Sequence, residues 1–285
     1  MLETMISEAE AIRFITSGGF KAVYEAFIAG TKEALKVIFI PREEDEPEAH
    51  SEILGRVRRE IESLRMCESP YLVKLGSLTP RSSVMGGHEY VVYSEEFLEG
   101  STLHSLIQSA GRPTFEQCRS LFRCLLEVIR ELRARGLIHR DIKPGNVIAT
   151  DVPGRPYVVL DLGIAFKLHS TAITINPEMR QGTLPYMAPE MFEPRFREML
   201  DYRSDLYSAA VTVYEYAAAT HPIARRAEND FTTLHRIAYM KPKALSEHRP
   251  DLPFQFCELV DQMIRKKPAL RPSNIDVAIK TLGEL

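Results

Sequence analysis

Cysteine is scarce and unpatterned in this chain. Its 285 residues hold four, Cys67, Cys118, Cys124 and Cys257, with no Cys-x-x-Cys pair. That spacing argues against a disulfide frame or a zinc site and for the reduced thiols of a cytoplasmic protein. A charge excess is missing too. The formal net charge is -3 and the pI about 6.3, which gives no electrostatic case for nucleic acid as a partner. Long apolar runs are absent. The most apolar helical stretch, Leu206 to Ala219, contains Glu215 and falls short of the ~20 residues that a membrane span needs. The first ten residues are acidic and lack the basic and apolar regions of a signal peptide. There is no internal repeat and no low-complexity tail. The segment Pro41 to Glu48, dense in Glu and Asp, reads as a solvated connection.

With 45% hydrophobic residues, the chain can bury a sizeable core, and its length suits a two-lobed unit with no second independent domain. Within it, His139-Arg140-Asp141-Ile142-Lys143-Pro144-Gly145-Asn146 places a carboxylate, an ammonium and a carboxamide close together. Asp, Lys, Pro, Gly and Asn are all common in turns, so a surface turn is the plain alternative. That alternative predicts no distant partners.

The string matches His-Arg-Asp-x-Lys-x-x-Asn, and Asp161-Leu162-Gly163 follows where a metal-binding Asp-Phe-Gly would stand. On these motifs the chain resembles eukaryotic-type (Hanks-type) serine/threonine protein kinases. The resemblance implies an α+β, bilobal fold with a small β-rich N-lobe carrying one regulatory helix and a larger, mainly helical C-lobe. It makes Asp141 the group that orients the substrate hydroxyl and takes its proton. It makes Lys143 a counter-charge for the transferring phosphoryl group. Asn146 and Asp161 become oxygen ligands for Mg²⁺, a hard cation shared with the phosphates of ATP; Mn²⁺ is a possible substitute.

Expected partners stand in order along the chain. Glu33 to Ile40 reads as a strand, with Lys36 in the place of the nucleotide-anchoring lysine. Ile53, Leu54, Val57, Ile61 and Leu64 recur at helical spacing, and Glu60 projects beside that stripe. By resemblance Glu60 pairs with Lys36 and holds the ammonium against the α- and β-phosphates. Downstream, Gly182-Thr183-Leu184-Pro185-Tyr186-Met187-Ala188-Pro189-Glu190 is similar to the end of a kinase activation segment. Family resemblance further implies that Asp205 holds the catalytic-loop backbone and that Glu190 forms a buried ion pair with Arg271. Arg140 would await a phosphate on Ser170, Thr171 or Thr174, and the Thr183 hydroxyl would support the catalytic loop.

Two places depart from the family pattern. Ile15-Thr16-Ser17-Gly18-Gly19-Phe20-Lys21-Ala22-Val23 aligns on Val23 with Gly-x-Gly-x-x-Gly-x-Val, yet Thr16 and Lys21 replace two of the three glycines. Gly18, Gly19 and Phe20 still suit a hairpin tip that lays N–H groups over phosphates. Ile15, Val23, Ala34 and Ile148 join the nucleotide pocket by the same resemblance. In the expected interlobe linker, Glu96 and Leu98 would meet the adenine edge through backbone groups, and Glu95 would sit behind the adenine. A local bulge would put Ser94 there instead. A buried carboxylate at that position needs a partner or a raised pKa.

The expected organisation is a kinase domain over residues 11–285, divided into an N-lobe (11–94) and the hinge with the C-lobe (95–285), without a receptor, sensor or targeting module. The expected activity is transfer of the γ-phosphate of ATP to a Ser/Thr hydroxyl of a protein. Two alternatives share the fold. A nucleotide-binding pseudokinase scaffold would explain the altered glycine loop, but no chemistry residue is lost. A small-molecule kinase would generally lack the Gly-Thr and Ala-Pro-Glu platform that this chain has.

Overall fold

The computed structural model describes residues 6–109, 111–162, 166–167, 184–193, 200–225 and 228–285. They form two compact units: residues up to 68 together with 73–99, and residues 69–72 with the described residues from 100 onward.

The first unit is a five-stranded antiparallel sheet and one helix. Strands β1 (Ala9–Gly18), β2 (Lys21–Ile28), β3 (Thr31–Ile40), β4 (Arg81–Met85) and β5 (His88–Glu96) lie in the order β1-β2-β3-β5-β4. Successive side chains of a strand point to opposite faces, and β3 shows the consequence. Leu35 and Val37 pack with Ala26, Leu78 and Val92 on one face. Ile38 and Ile40 pack with Val91, Tyr93 and the helix residues Ile53, Val57 and Ile61 on the other. Lys36 has the parity of Ile38 and Ile40, so alternation alone turns it toward the helix. That helix, α1 (Pro47–Met66), starts with Pro at its first turn, where the missing N–H costs nothing. The charged connection before it therefore ends at Glu46, two residues earlier than its composition suggests.

The opposite face of the sheet carries a second polar cluster. Ser77 N–H donates to both oxygens of Glu33 at 2.9 and 3.0 Å, Ser94 Oγ donates to Glu33 at 2.5 Å, and Leu78 N–H donates to Ser94 Oγ at 2.9 Å. A Cβ at Gly76 would lie 2.3 Å from Glu33 Oε2 and 2.5 Å from Ser94 Oγ. Only glycine lets the backbone pass this close to the buried carboxylate.

The second unit is mainly helical. Helix α2 (Leu103–Ser109) precedes α3 (Phe115–Ala134), whose N-terminus is closed by a capping box between Thr114 and Gln117. Then come α4 (Arg203–Ala218), α5 (Asp230–Tyr239), α6 (Leu245–His248), α7 (Phe254–Met263) and α8 (Ile275–Gly283). Helix α4 is buried around almost its whole circumference, which is why its sequence shows no polar stripe. No described helix is long and apolar enough to cross a membrane. Short strands frame the catalytic-loop string. They are β6 (Gly100–Thr102), β7 (Leu137–Ile138), β8 (Val147–Thr150), β9 (Tyr157–Val159) and β10 (Phe166–Lys167), with β6-β8-β9 in one small sheet and β7 paired to β10. Segment 69–72 is stitched into this unit by Val159 N–H to Tyr71 C=O at 2.8 Å and Arg155 Nε to Pro70 C=O at 2.6 Å.

Candidate active site

The segment between β7 and β8 is suspended from α4. Asp205 on α4 is buried, and its carboxylate accepts His139 N–H at 2.8 Å and Arg140 N–H at 2.9 Å. Burial pushes the Asp205 carboxyl above its usual range, while His139, Arg140 and the two N–H bonds pull against that rise. Arg140 is held at φ +68°, a conformation that costs a non-glycine residue of order 1–3 kcal/mol and persists only where surrounding contacts impose it. His139 was not singled out from the sequence. It is fully buried, and its Nδ1 accepts Asp141 N–H at 3.3 Å.

Asp141 is only 8% exposed. Its Oδ2 accepts from Lys143 Nζ at 2.9 Å and from Asn146 Nδ2 at 2.8 Å, and Asn146 Nδ2 also donates to the Asp141 carbonyl at 3.0 Å. Lys143 is extended, with φ -159° and ψ 162°, which turns its side chain back to the side of Asp141 two residues earlier. The amide nitrogen of Asn146 is thus committed to Asp141, and its carbonyl oxygen is the atom suited to a cation. Leu160 N–H donates to the backbone C=O of Asn146 at 2.8 Å, and Asp161 is the next residue along the chain. Asp161 is half-buried at φ +63°, a left-handed position that Asp tolerates better than most residues. One anionic and one neutral oxygen suit a magnesium ion, which keeps waters and phosphates in its shell. Among the described residues no larger His/Cys/Asp/Glu cluster is arranged for a metal.

In the first unit, Lys36 Nζ lies 2.9 Å from Glu60 Oε1 and 2.5 Å from Glu95 Oε1, and all three side chains are about 95% buried, with exposures of 5%, 5% and 4%. The partner that a buried Glu95 requires is therefore Lys36. Register decides this. The β3–β5 ladder runs without a break from Glu33↔Glu96 to Ile40↔Glu89 and pairs Lys36 with Tyr93 and Ala34 with Glu95. No bulge intervenes, so Glu95 shares the Lys36 face and Ser94 turns to Glu33 on the other. Strand β5 runs on to Glu96, and Glu95 is a strand residue of the first unit. Glu96 N–H donates to Lys74 C=O at 2.9 Å, which confines any adenine contact of its backbone to the carbonyl. Leu98 follows the strand and is half-buried. In the second unit Ile148 lies on β8, also half-buried.

The glycine-containing segment is the β1–β2 hairpin, in which Gly18 pairs with Lys21 and Thr16 with Val23. Thr16 and Lys21 therefore occupy ordinary ladder positions. Gly19 takes φ +56° at the tip, whereas Gly18 needs no left-handed conformation and a Cβ there would meet nothing within 4 Å. Among the described residues nothing calls for glycine at 18. Phe20 follows Gly19 at the hairpin tip. Its ring stacks on Phe39 with centroids 6.3 Å apart, and its carbonyl accepts Phe39 N–H at 2.8 Å. The register slips between Phe14 and Thr16, leaving Ile15 in the irregularity and 45% exposed.

Glu190 and Arg271 meet as a buried pair in the second unit, bridged bidentately at 2.5 and 2.8 Å. Nearby, Tyr186 OH donates to Glu215 at 2.6 Å and Ser208 Oγ donates to Tyr186 C=O at 2.8 Å. Glu215, which the sequence offers only as a charge within an apolar helix, is thus a brace for the Tyr186 segment. Gly163, Ser170, Thr171, Thr174 and Thr183 lie outside the described residues.

His221 adds a titratable element beneath Tyr186, with ring centroids 5.2 Å apart. Its Nδ1 accepts Ile223 N–H at 3.1 Å and Ala224 N–H at 2.8 Å, so the ring must be neutral at that nitrogen. Burial, helped by Arg225, pulls its pKa down to about 4. A base with a depressed folded-state pKa contributes stability that is lost as pH falls from its unfolded value toward the folded one. Between pH 7 and 5 the wild type is expected to lose ~2 kcal/mol through this group. Urea denaturation at the two pH values should show a smaller loss for His221→Asn; equal losses would remove His221 as the cause.

A family model described as the protein kinase domain matches residues 9–281. The chain belongs to the protein kinase family. Its relatives include serine/threonine-protein kinase PknA of Mycobacterium tuberculosis, 28% identical over 262 residues, covering 91% of this chain and 57% of the relative. Another is a probable serine/threonine-protein kinase of Clostridium perfringens, 24% identical over 278 residues, covering 97% of this chain and 37% of the relative. A third, a probable serine/threonine-protein kinase PknB of Bifidobacterium longum, is 32% identical over 173 residues, covering 59% and 24%. The chain therefore spans little more than half, or less, of these relatives' lengths. Family membership accounts for the kinase-like division into a β-rich and a helical unit.

Proposed function

We propose that this kinase domain transfers the γ-phosphate of ATP to a serine or threonine hydroxyl of a protein substrate. The carrying observation is Asp141, held by Lys143 and Asn146 at 2.8–2.9 Å on a loop anchored by Asp205. In this reading Asp141 orients the hydroxyl and receives its proton, and Lys143 offsets charge on the transferring group. Lys36 holds the α- and β-phosphates. Asn146 and Asp161 hold Mg²⁺, or Mn²⁺, which neutralises phosphate charge when bound. The hairpin at Gly18 and Gly19 and the residues Ile15, Val23, Ala34, Leu98 and Ile148 complete the nucleotide site. Arg140 is buried with its backbone tied to Asp205, a fixed cation on which a phosphate at Ser170, Thr171 or Thr174 would dock. We place the protein in the cytoplasm.

Incubation with labelled ATP and Mg²⁺, followed by phosphosite mapping, tests the reading directly; label on Ser or Thr supports it. Asp161→Asn is expected to weaken Mg²⁺-dependent ATP binding at least ~10-fold, because the anionic ligand to the metal is gone. Calorimetry finding unchanged Mg-ATP affinity would place the metal elsewhere.

A further inference from the structure

In the buried cluster two carboxylates share Lys36. They reach it from elements of different mechanical character. Glu60 belongs to α1, which packs on the sheet through the side chains of Ile53, Val57 and Ile61 against Ile38, Ile40, Val91 and Tyr93. Glu95 belongs to β5, which is hydrogen-bonded to β3 in continuous register from Glu33↔Glu96 to Ile40↔Glu89. The position of Glu95 relative to Lys36 is thus fixed by the backbone ladder, whereas that of Glu60 depends on where the helix packs. An ammonium has three donors, so bonds to both carboxylates and to a phosphate oxygen are compatible.

We propose that Glu95 is a positioning residue for Lys36: a second carboxylate that keeps the ammonium in its place on the sheet when Glu60 is withdrawn. The proposal rests on the kinase reading above. It makes the lysine less dependent on α1 than a single ion pair would.

A double-mutant cycle with Glu60→Gln and Glu95→Gln tests it, since Gln keeps the shape and removes the charge. Either single variant is expected to lose no more than about 10-fold in kcat/KM for ATP, and the double variant at least 10-fold more than the product of the singles. The loss should fall mainly on kcat, because Lys36 orients phosphates that other groups still bind. Thermal melts check that each variant is folded. A crystal structure of Glu60→Gln supplies a readout independent of activity, with Lys36 Nζ expected within hydrogen-bond distance of Glu95. Simple multiplicative losses, a Glu60→Gln loss equal to that of the double, or a gain of activity in Glu95→Gln would each overturn the proposal; the last would make Glu95 a competitor of the phosphates. If the wild type transfers no phosphate, the kinase reading fails while the crystal structure still decides the fate of Glu95. Lys36 remaining on Glu95 then supports the positioning role, and Lys36 swinging away overturns it.

Discussion

Asp141→Asn is expected to lower kcat for phosphoryl transfer by ~10²–10⁴ with little change in the KM for ATP. Asparagine keeps the planar shape and one oxygen to accept from Lys143 Nζ, now 2.9 Å away, but it cannot take the proton of the attacking hydroxyl. Asparagine is a cleaner test than alanine. Because Asp141 is buried and is bonded to both Lys143 and Asn146, Asp141→Ala would also strip two side chains of an acceptor, mixing a stability loss into the kinetic one. Steady-state kinetics alongside a thermal melt separates these effects. A folded Asp141→Asn protein turning over at the wild-type rate would sink the assignment of the base.

Arg271→Met is expected to cost ~3–5 kcal/mol of stability, enough to leave much of the chain unfolded. All five guanidinium donors are spent: two on Glu190 at 2.5 and 2.8 Å, and one each on the carbonyls of Arg203, Arg265 and Lys266 at 2.9, 2.8 and 3.1 Å. The group is fully buried, with its Cζ 5.0 Å from the centre of the Tyr207 ring. Truncation would leave a buried carboxylate without its cation and three carbonyls without their donor. Removing both charges as Arg271→Met with Glu190→Leu should recover part of the loss, since an unpaired buried charge costs more than no charge. Urea titrations of the single and double variants measure this. A single variant within 1 kcal/mol of wild type, on the order of a surface substitution, would show that the pair does not hold the second unit together.

The elements around the site were legible because their signals are local. Alternation in Glu33 to Ile40 and the 3.6-residue recurrence from Ile53 to Leu64 are properties of short windows. The catalytic string acts over eight residues, where a backbone turn alone brings Asp141, Lys143 and Asn146 together. Those signals gave less at the hairpin. Thr16 and Lys21 count as lost glycines in a motif, but in the fold they are ladder residues, and Phe20 is held by Phe39 from another strand.

By itself the sequence determined the family, the order of β-rich and helical parts, and the residue types available for chemistry, since each is written in a motif or a period. Tertiary structure decided which of those groups share charge. Glu60 lies 24 positions from Lys36 and Glu95 lies 59. Whether the second carboxylate meets the lysine or turns away depends on β3–β5 register, which a one-residue slip would reverse. The same slip would exchange Glu95 with Ser94, whose hydroxyl now serves Glu33 on the opposite face. Parity along a strand can be read from its residues, but the pairing of two strands is settled only when both faces of the sheet are packed.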